Sequence, residues 1–216
     1  MGSLAKNPPI LYLIATIDQG GENGARVAEI CAAAREIAPA AQLTILVQLR
    51  DKNASAAQLT KAASAWIKAL MAHKAFVLIN ERADVAICAG APGVHLGAGS
   101  IPVPEARRML PEGFVGWSAH SPEEAARAAA EGADFVTLSP IWASPGKGEP
   151  LGVQALSSAD CGSVPMLALG GIGPEEACAA LRAGASGVAV IRSVFHAPDP
   201  SGAARDMARA LTQAEE

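Results

Sequence analysis

The sequence predicts a (β/α)8 TIM barrel, and three observations predict it. Short apolar runs rich in β-branched residues alternate with Ala-rich stretches of helical spacing along the whole chain. Eight such runs recur at a spacing of roughly 25 residues, and most are apolar without a break, as strands buried on both faces must be. No Pro/Gly/Ser-rich linker or low-complexity tract divides the 216 residues, so 1–216 is read as a single domain. A doubly wound open sheet is the alternative, but no GxGxxG follows the first apolar run.

Strands are expected at 10–16, 43–50, 75–80, 93–97, 114–120, 135–141, 165–171 and 187–193. The clearest amphipathic helices fall at 24–38, 54–72, 121–131, 173–184 and 200–213, with shorter ones at 82–90, 102–110 and 150–159. Asn53 ahead of Ala-Ser-Ala-Ala-Gln-Leu, Ser121 with Pro122 and Glu124, and Gly173 with Pro174 are start signals. Gly132 and Gly184 stand just past their helices as stops.

Half of the residues are hydrophobic but only 4% are aromatic, so Ala, Val, Leu and Ile must fill the core. That economy suits interleaved strands and helices. A formal net charge of −4 supplies no basic field for nucleic acid, so any anion must be held by a local cluster. Cys31, Cys88, Cys161 and Cys178 show no metal-ligand spacing and read as small buried thiols. There is no basic-then-apolar leader pattern, and no apolar run nears the roughly 20 residues of a membrane span. The expectation is a chain of the reducing cytoplasm with no membrane or nucleic-acid partner. Residues 1–3 are also open to reading as an expression remnant.

In such a barrel the C-terminal strand ends and the loops after them form the active face. They would deliver Gln48, Arg50 and Lys52; Asn80, Glu81 and Arg82; His95; and Ser118 with His120. Beyond these come Ser139 with the loop carrying Ser144 and Lys147, then Gly170 and Gly171, then Ile191, Arg192 and Ser193. The set is cationic and glycine-rich, which suits phosphate. Gly-Gly-Ile-Gly-Pro-Glu-Glu brings bare backbone N–H groups to a helix N-terminus, where an anion is favoured. A sharp structural turn would use the same glycines.

In Val-Gln-Leu-Arg-Asp-Lys-Asn, period-two alternation points Gln48, Arg50 and Lys52 one way, into the mouth of the barrel. Two cations and an amide there suit a diphosphate. The plainer alternative is a solvated strand end with an Arg50–Asp51 pair. Lys147, between glycines, is free to fold over a ligand, although a lone loop lysine is usually just solvated. A histidine inside a strand, as His95 is, is most often a satisfied core residue. His120, at a strand end, is better placed for acid–base work.

Read together, Leu-Tyr-Leu-Ile-Ala-Thr, Val-Gln-Leu-Arg-Asp-Lys-Asn, the stretch from Ile79 to Gly97, the stretch from Gly116 to Gly152 and that from Leu167 to Phe195 resemble the thiamine phosphate synthase family and its thiazole tautomerase (TenI) relatives. The resemblance implies a synthase that joins hydroxymethylpyrimidine diphosphate to thiazole phosphate with release of diphosphate. It implies that Gln48, Arg50 and Lys52 hold the pyrimidine diphosphate with Asn80 and Lys147. It also puts Ser118 near the reacting carbon, and Gly171 with the backbone at Ile191 and Arg192 on the thiazole phosphate. Mg2+ is the implied cofactor, with Glu81 as its carboxylate ligand.

The pattern departs from the family in three places. Asn-Asp-Arg is Asn80-Glu81-Arg82, Ser100 stands where an acidic residue is expected after His-Leu-Gly, and Ser144-Pro145-Gly146-Lys147 replaces Thr-x-Thr-Lys. Losing one carboxylate weakens the expected Mg2+ site. The departures lean toward a thiazole tautomerase, with His120 moving a proton. A non-catalytic phosphate-binding barrel is the remaining alternative. The intact Gln48-Leu-Arg50-Asp-Lys52 segment favours the synthase, because an isomerase never handles diphosphate.

Overall fold

The computed structural model describes residues 8–213; residues 1–3 thus lie outside the description. Eight parallel strands close into a barrel in sequence order: β1 (Ile10–Ala15), β2 (Thr44–Leu49), β3 (Ala75–Asn80), β4 (Gly93–Leu96), β5 (Phe114–Ala119), β6 (Phe135–Leu138), β7 (Met166–Leu169) and β8 (Gly187–Val190). Around it lie α1 (Ile17–Gly20), α2 (Ala25–Ile37), α3 (Ala56–Leu70), α4 (Ala83–Ala89), α5 (Val103–Met109), α6 (Pro122–Ala130), α7 (Gln154–Ser158), α8 (Pro174–Arg182), α9 (Arg192–Phe195) and α10 (Pro200–Gln213). The fold class expected from the sequence is the one observed.

Period-two alternation sorts each strand into two packing layers. Ile10, Tyr12 and Ile14 of β1 join Leu46, Leu78, Phe114, Phe135, Leu167 and Ala189 inside the barrel. Leu11, Leu13 and Ala15 face outward, with Ile45, Val47 and Leu49, onto the apolar stripes of the helices. Burial on both faces is why these strands read as continuous apolar text. Neighbouring strands are in register at Ile14 with Gln48, Asn80 with His95, and Ser118 with Thr137. The inward parity therefore carries polar side chains at the C-terminal end, where the layer is no longer closed.

Caps fix where the helices start. Ser55, not Asn53, caps α3: its hydroxyl accepts from the Gln58 N–H at 3.3 Å while Gln58 Oε1 accepts from the Ser55 N–H at 2.9 Å. A reciprocal capping box satisfies two orphan donors at once, which a lone Asn cannot do. Ser121 and Gly173 cap α6 and α8 as expected. The β8 run stops at Val190, three residues short of the expected end, because Ile191 already accepts the first helical bond of α9. Trp66 on α3 is fully buried and donates to the Gly21 carbonyl at 2.7 Å. Its ring occupies the space a side chain at Gly20 would need, since a Cβ there would lie 2.2 Å from it. Cys31 and Cys161 are buried and Cys178 half-buried, but Cys88 is exposed on α4, contrary to the buried-thiol expectation. Among the described residues no helix is long and apolar enough to cross a membrane.

Candidate active site

The expected alternation of Gln48, Arg50 and Lys52 holds for two of the three. Gln48 is inside the barrel at 2% exposure and Arg50 is half-buried just past the strand end. Lys52 is exposed in a bend, because β2 ends at Leu49 and its alternation ends with it. The bend is set by Asp51, whose carboxylate accepts from the N–H groups of Ile17 at 3.3 Å and Asn53 at 3.1 Å. Asp51 is thus engaged with backbone, and no Arg50–Asp51 ion pair forms. Lys52 instead lines a pocket of about 320 Å³ between the ends of β2 and β3 and α3, which it shares with Leu59, Asn80, Glu81 and Arg82. Arg82 itself is paired with Asp84 through two exposed hydrogen bonds of 2.8 and 2.6 Å.

Glu81 sits in the left-handed region at φ 61°, one of two such non-glycine residues described. Its N–H donates to the His95 carbonyl at 2.8 Å. Held strain of this kind clusters at functional positions. Here it turns the carboxylate across the end of β4, where Oε1 comes within 3.8 Å of the place a Gly97 Cβ would occupy. The Ser100 hydroxyl reaches the same glycine and accepts from its N–H at 2.9 Å. Among the described residues no three His, Cys, Asp or Glu side chains gather into a metal site. One carboxylate and one hydroxyl around Gly97 nevertheless fit a hard cation that takes its other oxygens from water and from substrate phosphate.

Ser118, half-buried on β5, lies at 2.8 Å from His95 Nε2. His95 is 3% exposed and packed between Tyr12 and Phe135, with each ring centroid 5.4 Å from its own. Burial, and then the nearby Arg50 cation, pull its pKa down to about 3, so the ring is neutral. It is a core histidine but not a satisfied one, since its Nδ1 has no partner. Burial also raises the Tyr12 phenol well above its ordinary range, with the Gln48 amide pulling the other way. No well-aligned hydrogen bond reaches the Tyr12 hydroxyl. His120, by contrast, is exposed at the rim, with Nδ1 at 3.0 Å from the Ser139 carbonyl. A carbonyl only accepts, so this contact puts a proton on Nδ1 and leaves Nε2 as the nitrogen free to exchange one.

On the far side of the mouth, the turns after β7 and β8 enclose a pocket of about 260 Å³ lined by Ser144, Gly170, Gly171, Ile172, Ile191, Arg192 and Ser193, among others. The Gly173 N–H is already taken by the Glu176 carboxylate at 2.9 Å, so the start of α8 is not the open donor that was expected. Instead the backbone N–H groups of Gly171, Ile172, Arg192 and Ser193 find no protein acceptor among the described residues and line the cup. Gly170 and Gly171 are also structurally required. A Cβ on Gly171 (φ 67°) would lie 2.6 Å from the Ala143 carbonyl, and one on Gly170 (φ 102°) 2.9 Å from Pro140. The glycines thus meet the structural need of the turn, and the N–H groups beside them stay open to an acceptor.

The loop after β6 closes that side. Arg192 Nη2 donates to Ser144 Oγ at 2.9 Å, and Lys147, three residues further, is exposed. Among the described residues, Arg50, Lys52, Lys147 and Arg192 enter no ion pair. Sequence reasoning missed Thr137, fully buried on β6 with its hydroxyl 3.5 Å from Ser118 Oγ. The signal was available: Thr137 has the inward parity of Phe135 and, with Ser139, is one of two polar residues in the run 135–141.

Unpaired cations on one rim and open N–H groups in a cup facing them suit a (β/α)8 protein that handles phosphorylated small molecules, and that is the class this site defines. The chain belongs to the thiamine monophosphate synthase family, whose model matches residues 11–194. It is 46% identical over 170 residues to a thiamine-phosphate synthase of Anaeromyxobacter dehalogenans, covering 76% of each chain. A thiamine-phosphate synthase of Albidiferax ferrireducens is 39% identical over 199 residues, covering 90% of this chain and 88% of the other. The solved thiamine phosphate pyrophosphorylase from Pyrococcus furiosus superposes with a TM-score of 0.82 at 25% identity, over 98% of this chain and 99% of that one.

Proposed function

We propose that the chain is a thiamine-phosphate synthase, a transferase that couples hydroxymethylpyrimidine diphosphate to thiazole phosphate and releases diphosphate. The observation that carries the reading is the pairing, at one end of the barrel, of a cationic strand end with a separate cup of open N–H groups. Gln48, Arg50 and Lys52 stand at the end of β2, while the open N–H groups of Gly171, Ile172, Arg192 and Ser193 form the cup between β7 and β8. A reaction of two phosphorylated substrates needs both; an isomerase of one needs only the cup.

In this reading the thiazole phosphate sits in the cup, capped by Arg192 and Ser144 and bordered by Gly170, Gly171 and Ile191. The pyrimidine diphosphate lies against Arg50 and Lys52, with Gln48 and Asn80 beneath it and Lys147 closing from the loop. The thiazole nitrogen attacks the pyrimidine methylene carbon as its C–O bond to diphosphate breaks. Fixed cations then oppose the charge growing on the leaving group, in a site where they need not reorganise. Ser118 lies beside the reacting carbon. Mg2+ would be held by Glu81, with the Ser100 hydroxyl beside it, and would supply further neutralisation of the diphosphate. The reading places the work in the cytoplasm, where an exposed thiol such as Cys88 stays reduced.

His120 motivates the second reading, a thiazole tautomerase, because its free Nε2 could exchange a proton. The assay supplies the purified protein with both substrates and Mg2+, and separately with the thiazole carboxylate phosphate alone. Thiamine phosphate from the first mixture is the expected result, with coupling largely retained in His120→Asn. Isomerisation of the single substrate without coupling, lost by roughly 10²–10⁴-fold in His120→Asn, would reverse the assignment.

A further inference from the structure

Beneath the mouth lies a buried polar chain that the roles above leave unexplained. His95 Nε2 is 2.8 Å from Ser118 Oγ. Thr137, 0% exposed, reaches the same oxygen at 3.5 Å and has no other side-chain partner among the described residues. The opposite ring nitrogen, His95 Nδ1, is buried without a partner. It faces Gly116, where an added Cβ would lie 2.7 Å from it, and Tyr12 and Phe135 cover the ring. Among the described residues no hydrogen-bond acceptor lies within reach of it.

These contacts decide the tautomer. A neutral imidazole carries a single N–H. Placed on Nδ1, it would be a buried donor without an acceptor, which is rarer and costlier than a bare ring nitrogen. The proton therefore belongs on Nε2, donating to Ser118. A hydroxyl oxygen has two acceptor sites; Nε2–H fills one at 2.8 Å, and the Thr137 hydroxyl stands 3.5 Å away beside the other. With Nε2 as the donor, the Ser118 proton cannot point at His95, and the half-buried side chain leaves it the open side near the end of β5.

We propose that His95 and Thr137 are positioning residues that turn the Ser118 hydroxyl into a fixed hydrogen-bond donor aimed at an acceptor atom of the bound pyrimidine. This rests on the synthase reading for its substrate but not for its geometry. Gly116 and the aromatic pair have a role in the same device, because they deny Nδ1 any partner and so hold the proton on Nε2. The alternative tautomer would reverse every donor in the chain and point the Ser118 proton down at His95, away from substrate.

Two measurements test it on the full chain. Nitrogen-15 NMR of the free protein reads the tautomer directly. The expected pattern is a protonated Nε2 and a bare Nδ1 at His95, unchanged between about pH 5 and 8, the range in which an ordinary histidine titrates. A proton on Nδ1 would overturn the proposal. A double-mutant cycle then reads the coupling. His95→Leu should lower kcat roughly tenfold, the worth of a lost buried hydrogen bond, with the KM for thiazole phosphate unchanged. His95→Gln, whose amide places a donor near the old Nε2, should recover most of that loss. In a Ser118→Ala background, His95→Leu should cost nothing more, whereas an equal loss there would mark it as packing alone and overturn the proposal. Should His95→Leu not fold, Thr137→Val in the same cycle carries the same expectations. A wild-type protein that fails to couple would reject the synthase reading, while the NMR result still decides the hydrogen-bond chain.

Discussion

Arg192 Nη2 donates to Ser144 Oγ at 2.9 Å, and this one hydrogen bond ties the turn after β8 to the loop after β6. Both side chains line the anion cup, and Lys147 hangs three residues beyond Ser144 on the same loop. The bond is exposed, so it adds little to folding stability. Its consequence is positional: the cation over the cup and the exposed Lys147 share a mounting.

Arg192→Ala should therefore raise the KM for thiazole phosphate by roughly tenfold or more, the scale of a lost charge-assisted hydrogen bond. Steady-state kinetics with thiazole phosphate varied at saturating pyrimidine diphosphate will show this. An unchanged KM would remove Arg192 from the cup.

Gly171→Ala should harm both fold and binding. At φ 67° an alanine is strained, and its Cβ would press to 2.6 Å against the Ala143 carbonyl. We expect a loss of about 1–3 kcal/mol in unfolding free energy, together with weaker thiazole phosphate binding. Denaturant unfolding and calorimetry would measure the two separately.

The positions of the eight strands were legible because burial on both faces writes them as uninterrupted apolar runs. Their ends were not, since alternation was carried past Leu49 to Lys52 although the Asp51 carboxylate bends the chain there. Asn53 and Ser55 are equally good caps in isolation, and only Gln58 reaching back decides between them. The cup proposed for the thiazole phosphate was half legible. Glycines announced the turn, but the sequence could not show that Glu176 takes the Gly173 N–H and leaves the donors to Gly171, Ile172 and the start of α9. Thr137 and the unsatisfied face of His95 needed the barrel closed before they could be seen.

Mg2+ should bind weakly to the free protein, because the mouth offers Glu81 and a serine where two carboxylates would hold a hard cation better. Calorimetry should detect little binding until diphosphate is added. Ser100→Asp should then lower the Mg2+ concentration needed for half-maximal coupling and give measurable binding without diphosphate. Tight binding by the unaltered free protein would reveal a ligand outside this site.

His95 also sets a pH dependence. Its pKa falls from 6.5 to about 3 on folding, so the unfolded chain binds the extra proton first as pH drops. The contribution is intact above about pH 6.5 and is lost progressively toward pH 3, by at most about 1.4 kcal/mol per pH unit. Urea midpoints measured from pH 7 down to about 5 should decline more steeply for the wild type than for His95→Gln, which has nothing to titrate. Equal slopes would mean that His95 is not held neutral.

The central claim is that the end of β2 receives a diphosphate that leaves during coupling, and Arg50→Ala tests it most directly. Arg50 is half-buried, unpaired and next to Gln48 at the barrel mouth, so its loss should spare the fold. With both substrates and Mg2+ present, the wild type should release one diphosphate for each thiamine phosphate formed. Arg50→Ala should slow that release by roughly 10²–10³-fold, with circular dichroism and thiazole phosphate binding unchanged. Wild-type rates of coupling and diphosphate release in Arg50→Ala would contradict the account.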